Sequence, residues 1–185
     1  MLIGFDLDKV FINTPPFVPA SLIQKIYKKK TNGELLYRIP AKPEQVFRRI
    51  THIEPLRPPI SKNLKVLRSI PKDKNKLYLI SSRYQFLQGA TDNLIKKYKL
   101  DTIFDTLYFN YHNQQPHIFK NEILKKLHLD IYIDDDLSLL QYVAKDNPDT
   151  TMYWLKTGAQ KDYLKLHPVL KKNVIPIDNL KEIFN

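Results

Sequence analysis

Two aspartates, Asp6 and Asp8, follow a short apolar run at the start of the chain. Residues two apart in an extended chain point the same way, so both carboxylates can face one cleft. One carboxylate can attack phosphorus and form an aspartyl-phosphate, and the other can protonate the leaving oxygen and later deprotonate water. The pair is therefore a candidate for phosphoryl chemistry, although a solvated turn or a helix cap explains most pairs of this kind.

Three further polar groups stand where an apolar run or a helical segment ends or begins. Ser81 follows the run KLYLI, Lys120 opens the segment FKNEILKKL, and the acids Asp134, Asp135 and Asp136 follow the run IYI. Each has an ordinary structural explanation, since serine is common in turns, lysine on helix surfaces and aspartate at helix caps. Their joint occurrence in this order favours one shared site.

The elements that would position these groups alternate along the chain. Short β-rich runs occupy residues 2–5, 76–80, 106–109, 131–133, 151–155 and 174–177, the third being the weakest. Segments with helical periodicity cover residues 63–70, 86–98, 119–127 and 137–145. This alternation predicts βαβ units and a parallel sheet covered on both faces. Ligands bind beyond the carboxyl ends of such strands, where Asp6, Ser81 and Asp134 would meet.

Residues 15–59 break this alternation. They hold eight of the thirteen prolines, two helix-like pieces at 21–30 and 44–50, and no convincing strand. Prolines at both margins restrict the backbone of the residues around them. We therefore predict a small helical insertion at residues 16–59, and a core made of residues 1–15 and 60–185.

The ordered motifs, DxDxV, a strand ending in serine, a lysine that opens a helix and a strand ending in paired aspartates, resemble those of the haloacid dehalogenase (HAD) superfamily. The resemblance runs from Leu2 to about Leu137, and the tail suits the last strand and helix of that family. It implies an α/β fold with a Rossmann-like parallel sheet sandwiched by helices and a small helical cap inserted after the first strand. It also implies a Mg²⁺-dependent phosphatase.

Residue roles follow from the resemblance in the same way. Asp6 would be the nucleophile and a metal ligand, and Asp8 the general acid and base, with its backbone carbonyl also on the metal. Ser81 would bind the transferring phosphoryl group, and Lys120 would neutralise charge on Asp6 and the phosphoryl oxygens.

Asp134 would complete the magnesium site, with Asp135 as a direct or water-mediated ligand. Magnesium prefers hard oxygen ligands of this type. Asp136 makes a third consecutive acid, so it is open which two of the three meet the metal; we favour Asp134 and Asp135.

Three further residues are candidates for binding the substrate. Lys9 stands where phosphatases of this family commonly have glycine, which adds a cation and removes backbone freedom. Ser82 could replace Ser81 if the strand ends one residue later. Arg83 could reach a substrate phosphate, because a guanidinium fork suits phosphate oxygens.

Within the family, Asp8 argues against dehalogenation, which needs no proton on a leaving oxygen, and the modest insertion favours hydrolysis over phosphoryl transfer. The substrate would be a small phosphorylated metabolite or a nucleotide, selected by the basic and aromatic residues 17–57.

The chain has no cysteine, which excludes disulfides, and its five histidines lack the spacing of a zinc site. We expect a cytoplasmic protein, because no signal peptide or membrane-spanning run is evident.

The formal net charge of +11 leaves a second function open. Such a surface attracts nucleic acid as well as phosphorylated metabolites, and the alternative is a basic protein that binds nucleic acid or processes its ends. A protein that only binds would not need both Asp6 and Asp8. Solvated lysine-rich helices explain the same charge without any partner.

Overall fold

The structure is a computed structural model that describes residues 1–15, 28–31, 34–37, 39–157 and 169–184. Its strands are β1 (Leu2–Phe5), β2 (Lys28–Thr31), β3 (Glu34–Tyr37), β4 (Lys76–Ser81), β5 (Thr106–Phe109), β6 (Ile131–Asp134), β7 (Thr151–Leu155) and β8 (Val174–Ile177). Its α-helices are α1 (Lys42–Thr51), α2 (Ser61–Ser69), α3 (Gln88–Lys97), α4 (Pro116–Leu127) and α5 (Leu137–Val143).

Six strands form one sheet in the order β5-β4-β1-β6-β7-β8, and all neighbouring pairs are parallel. Phe5 of β1 is level with Leu79 on one side and Ile133 on the other. The residues that follow β1, β4 and β6 therefore emerge together at the carboxyl edge of the sheet. The predicted α/β class and the six predicted strands are confirmed.

Apolar side chains are buried in two clusters. The rings of Phe5, Phe11 and Phe104 belong to one cluster, and the Phe5 and Phe11 centroids lie 5.4 Å apart. Tyr132 and Trp154 belong to the other and are fully buried. Such burial on both faces is what the continuous apolar runs of a parallel sheet require.

The insertion differs from its prediction. A helix was expected at residues 44–50, and α1 covers it. No strand was expected, yet β2 and β3 pair as an antiparallel hairpin. The helix predicted at 21–30 was wrong at residues 28–30, and its remaining residues lie outside the described part of the chain. The division of the chain into core and insertion stays a prediction.

Helix α4 begins earlier than expected. Pro116 occupies its first turn, where the missing N–H of proline is not needed. Lys120 is consequently in the second turn of α4. The expectation from the sequence that Lys120 opens this helix was wrong. No described helix is long and apolar enough to cross a bilayer.

Candidate active site

A cavity of about 220 Å³ lies at the carboxyl edge of β1, β4 and β6. Residues of both the core and the insertion line it. From the core come Asp6, Asp8, Lys9, Ser82, Arg83, Lys120, Asp134, Asp135 and Asp136, and from the insertion Tyr37, Arg48 and His52. Residues distant in sequence therefore meet at the edge where a parallel sheet binds ligands.

The Lys120 ammonium lies between two carboxylates at the centre of the cavity. Its Nζ donates to Asp6 Oδ1 at 2.7 Å and to Asp134 Oδ2 at 2.6 Å, and all three residues are buried. Tyr132 Oη also donates to Asp134 Oδ2, at 2.8 Å. A buried carboxylate needs this kind of compensation, because its charge has lost its hydration.

Carboxylate oxygens of Asp6, Asp134 and Asp135 all lie within 4.8 Å of one another. Burial raises the pKa of Asp6, although the Lys120 ammonium opposes this. Burial also raises the pKa of Asp135, against the opposing effect of Lys9. A hard divalent cation would stabilise the ionised form of such crowded carboxylates, whose pKa values are raised. These residues therefore fit Mg²⁺.

Asp135 is positioned from two sides. Lys9 Nζ donates to Asp135 Oδ2 at 2.8 Å, and Trp154 Nε1 donates to the Asp135 carbonyl at 3.0 Å. Lys9 adopts a φ of 59°, in the left-handed region that favours glycine. Lys9 stands where HAD phosphatases commonly have glycine, and its backbone keeps a conformation that glycine favours. Its ammonium contacts a candidate metal ligand.

Asp136 has a different role from the two acids before it. Its Oδ1 accepts from the Leu139 N–H at 3.2 Å and caps α5, and its Oδ2 accepts from Tyr37 Oη at 2.9 Å. An N-cap carboxylate satisfies one of the exposed N–H groups of a helix. The geometry therefore favours Asp134 and Asp135 over Asp136 as metal ligands.

Asp8 is held by two arginines. Arg83 donates through Nε to Oδ2 and through Nη2 to Oδ1, both at 2.8 Å, and Arg57 also donates to Oδ1. Partial burial opposes ionisation of Asp8, but the two guanidiniums outweigh it and hold the pKa of Asp8 well below its ordinary value. The predicted role of its backbone carbonyl on the metal stays a prediction.

The two serines after β4 are placed differently. Ser81 is buried, and its Oγ accepts from the Arg83 N–H at 3.4 Å. Ser82 lines the cavity, and its buried Oγ has no hydrogen-bond partner among the described residues, whereas Ser81 is not among the described lining residues. Of the two serines, Ser82 is therefore the one at the cavity wall.

Among the residues in or near the cavity that sequence reasoning did not single out are four from residues 16–59, namely Tyr37, Arg48, His52 and Arg57. All four belong to the insertion, and Arg48 and Arg57 are buried although charged. The Nδ1 of His52 lies 2.8 Å from the Arg48 carbonyl oxygen. Their only sequence signal was the basic and aromatic character of residues 17–57.

Several solved structures resemble this chain over almost its full length, among them the following three. A candidate phosphoglycolate phosphatase from Lactobacillus delbrueckii subsp. bulgaricus has a TM-score of 0.65 at 12% identity, with 98% of this chain and 95% of that chain covered. A D,D-heptose 1,7-bisphosphate phosphatase from B. bronchiseptica, complexed with magnesium and phosphate, has a TM-score of 0.56 at 12% identity, covering 97% and 93%. A HAD-superfamily hydrolase from Ehrlichia chaffeensis has a TM-score of 0.56 at 12% identity, covering 100% and 94%.

No protein-family model matches the sequence, and no curated protein matches it. The structural comparison nevertheless confirms the fold that the motifs predicted, which is that of the HAD superfamily of hydrolases. At 12% identity the likeness concerns the fold, so the chemistry has to be argued from the cavity itself.

Proposed function

We propose that this chain hydrolyses phosphate monoesters in a Mg²⁺-dependent reaction, with Asp6 as the nucleophile. The observation that carries the proposal is the buried group formed by Asp6, Lys120 and Asp134, in which the ammonium bridges both carboxylates at 2.7 and 2.6 Å. The nearby Asp135 and Asp8 supply a further metal ligand and a proton-transfer group.

In the first step, an Asp6 carboxylate oxygen forms a bond to phosphorus while the bond from phosphorus to the leaving oxygen breaks. Asp8 donates a proton to that oxygen. In the second step Asp8 takes a proton from water, whose oxygen attacks the aspartyl-phosphate and releases inorganic phosphate and the Asp6 carboxylate. Lys120 stabilises negative charge throughout, because it stays buried beside the nucleophile.

Asp6, Asp134 and Asp135 would hold Mg²⁺, which when bound would offset the negative charge of the carboxylates and of the phosphoryl oxygens. Ser82 lines the cavity, and its Oγ would donate a hydrogen bond to the phosphoryl group. Ser81, buried at the end of β4, would support this turn through its bond from the Arg83 N–H. Lys9 would stabilise Asp135 before the metal binds.

The alternative of a nucleic-acid partner rests on the net charge alone and stays a prediction, as does a cytoplasmic location. The cavity favours a small substrate, because its volume of about 220 Å³ accommodates a phosphorylated metabolite more readily than a nucleic-acid end. Nucleotides and sugar phosphates both remain within this class.

The test is release of inorganic phosphate from 4-nitrophenyl phosphate with and without Mg²⁺. We expect Mg²⁺-dependent turnover, and a loss of at least about a thousandfold in Asp6→Asn because the nucleophile is removed. Asp73→Asn is the matched control, since Asp73 is exposed and lies outside the cavity. Equal turnover by Asp6→Asn and the native chain would overturn the assignment of the nucleophile.

A further inference from the structure

Helix α1 turns its apolar side towards solvent. Val46, Phe47 and Ile50 lie within one stripe of this helix, because successive helix residues are about 100° apart, and Ile53 follows just after it. These four residues, called the apolar face below, are 54%, 59%, 56% and 45% exposed. A surface helix usually directs its apolar stripe at the core. The orientation of α1 is therefore the reverse of the usual one.

The opposite side of α1 is largely polar and attaches the helix to the core. Arg48 is buried, and its guanidinium lies 5.9 Å from the centre of the Phe86 ring. Arg49 Nε donates to the Phe86 carbonyl at 3.2 Å. The buried Thr51 hydroxyl donates to the Arg48 carbonyl at 3.2 Å. Because these polar contacts decide which side of α1 meets the core, the apolar face is held in an outward position.

Apolar side chains held outward in a group mark a surface that binds another molecule. The apolar face projects from the convex surface of a helix, with a phenylalanine and two isoleucines among its members. Such side chains suit the boundary between head groups and acyl chains of a bilayer, where an amphipathic helix buries its apolar side. The shape and composition of the face therefore favour a lipid surface.

The charge around the apolar face selects the kind of lipid. Lys42 and Arg49 are exposed and lie along one border of the stripe. Residues 16–59 contain nine basic and three acidic residues, and one of the acids, Glu54, is paired with Lys97. Anionic head groups attract basic segments of this kind. Two copies of the face would instead bring the same positive charges together, which disfavours self-association.

We propose that α1 docks the protein on a membrane surface that contains anionic phospholipids, with the apolar face in the interfacial layer and Lys42 and Arg49 beside the head groups. Attachment is peripheral, since no described helix could cross the bilayer. Arg48 and His52 line the catalytic cavity from the other side of the same segment. Docking would therefore bring the cavity to within about one helix diameter, ~10 Å, of the lipid.

The experiment is co-sedimentation of the full chain with vesicles of phosphatidylcholine alone, or of phosphatidylcholine with about 30% phosphatidylglycerol. In about 0.1 M sodium chloride we expect at least about tenfold stronger binding to the anionic vesicles. Binding should weaken in about 0.5 M sodium chloride, because salt screens the attraction between the basic residues and the head groups.

Phe47→Gln and Ile50→Gln keep every charge and change exposed side chains, so both variants should unfold at the native temperature. Each should bind the anionic vesicles at least about fivefold more weakly, because apolar burial in the interface is lost. Val169→Gln is the matched control, since Val169 is 82% exposed and lies outside α1. Native binding by the folded Phe47→Gln and Ile50→Gln variants would overturn the inference, because charge alone would then account for binding.

Two results with the native chain would also overturn the inference. Failure to bind the anionic vesicles would exclude a lipid surface and leave an acidic protein as the partner of the apolar face. A dimer in sedimentation velocity that Phe47→Gln dissociates would show that a second copy covers the face. Phosphate release is measured in none of these experiments, so this inference and the proposed function stand or fall separately.

Discussion

Asp8 has two tasks in the proposed reaction, and they can be separated by the choice of leaving group. 4-Nitrophenolate leaves without a proton, so the first step needs no general acid with this substrate, whereas the second step still needs a base to activate water. Asp8→Asn should therefore form the aspartyl-phosphate on Asp6 and release it slowly.

Rapid mixing of Asp8→Asn with 4-nitrophenyl phosphate should give a burst of nitrophenolate that approaches one equivalent per chain, followed by slow turnover. Propyl phosphate should give no burst of phosphorylated protein, because its alkoxide needs the missing proton. Thermal unfolding must accompany the measurement, since the substitution removes the carboxylate that Arg57 and Arg83 share. A folded Asp8→Asn variant that turns over as fast as the native chain would contradict the assignment of Asp8.

His52 should make the protein less stable in mild acid. Burial, together with Arg57 and Arg83, lowers the pKa of His52 from 6.5 to about 3. Between these values the unfolded chain binds a proton that the folded chain does not, so stability falls as the pH drops from about 6.5 towards 3. The contribution of His52 is fully present above about pH 6.5, and the slope for one proton is at most about 1.4 kcal/mol per pH unit.

The measurement is urea unfolding of the native chain and of His52→Gln at several pH values from 7.5 to 4. We expect the free energy of unfolding of His52→Gln to fall less steeply with acid, whereas carboxylates titrate alike in both proteins. His112→Gln, at an exposed histidine, should follow the native curve. Parallel curves for the native chain and His52→Gln would show that His52 titrates normally in the folded state.

At the scale of elements, Tyr37 fixes the end of β3 to the core. Its hydroxyl donates to Asp136 at 2.9 Å, its N–H donates to Gln115 Oε1 at 2.8 Å, and its ring stacks on His117 with centroids 5.6 Å apart. Asp136 also caps α5, so one carboxylate ties the hairpin to the helix that follows β6. These contacts hold Tyr37, at the end of β3, in the wall of the cavity.

Tyr37→Phe removes the hydroxyl and keeps the ring. We expect a loss of about 1 to 2 kcal/mol in the free energy of unfolding, because a hydrogen bond to a charged group is lost from a largely buried site. The Tyr37 amide should also exchange faster with deuterium, since the hairpin is less firmly held. Tyr153→Phe is the control, as its hydroxyl makes no described hydrogen bond; equal effects of the two substitutions would argue against this anchoring role.

The sequence predicts the elements of the core well and those of the insertion poorly. Short apolar runs gave all six strands of the sheet, because a doubly covered parallel sheet buries both faces of each strand. The β2–β3 hairpin was missed although Asn32-Gly33, a dipeptide typical of two-residue hairpins, separates its strands. The proline content of the interval had favoured helices and loops over any strand.

The sequence predicted those residues of the candidate site that come directly after strands, in the order of the motifs. The sequence favoured Ser81 over Ser82 but could not settle the choice, because successive strand residues point to opposite faces and one residue of uncertainty reverses the direction. Arg57 lies 49 positions from Asp8, and their contact depends on how the insertion returns to the core. No local pattern encodes such a contact.

The whole molecule combines a strongly positive net charge with a cavity in which acids and cations are closely paired. The formal charge of +11 acts over distances much longer than these paired contacts and attracts any phosphorylated substrate. Inside the cavity Lys120 is paired with Asp6 and Asp134, Lys9 with Asp135, and Arg83 with Asp8. The net charge should therefore govern encounter with the substrate, and the paired groups should govern the chemical steps.

This division of roles predicts how salt affects the reaction. Raising the ionic strength from about 0.02 M to about 0.3 M shortens the screening length severalfold, so kcat/KM for a doubly charged substrate should fall about two- to fivefold. The kcat should change little, because buried ion pairs are screened much less than surface charges. Steady-state kinetics in sodium chloride and in sodium acetate of equal ionic strength separate screening from competition by one anion, since screening is the same in both salts. A fall confined to kcat, with kcat/KM constant, would mean instead that salt acts on the paired groups of the cavity and that the surplus charge does not assist encounter.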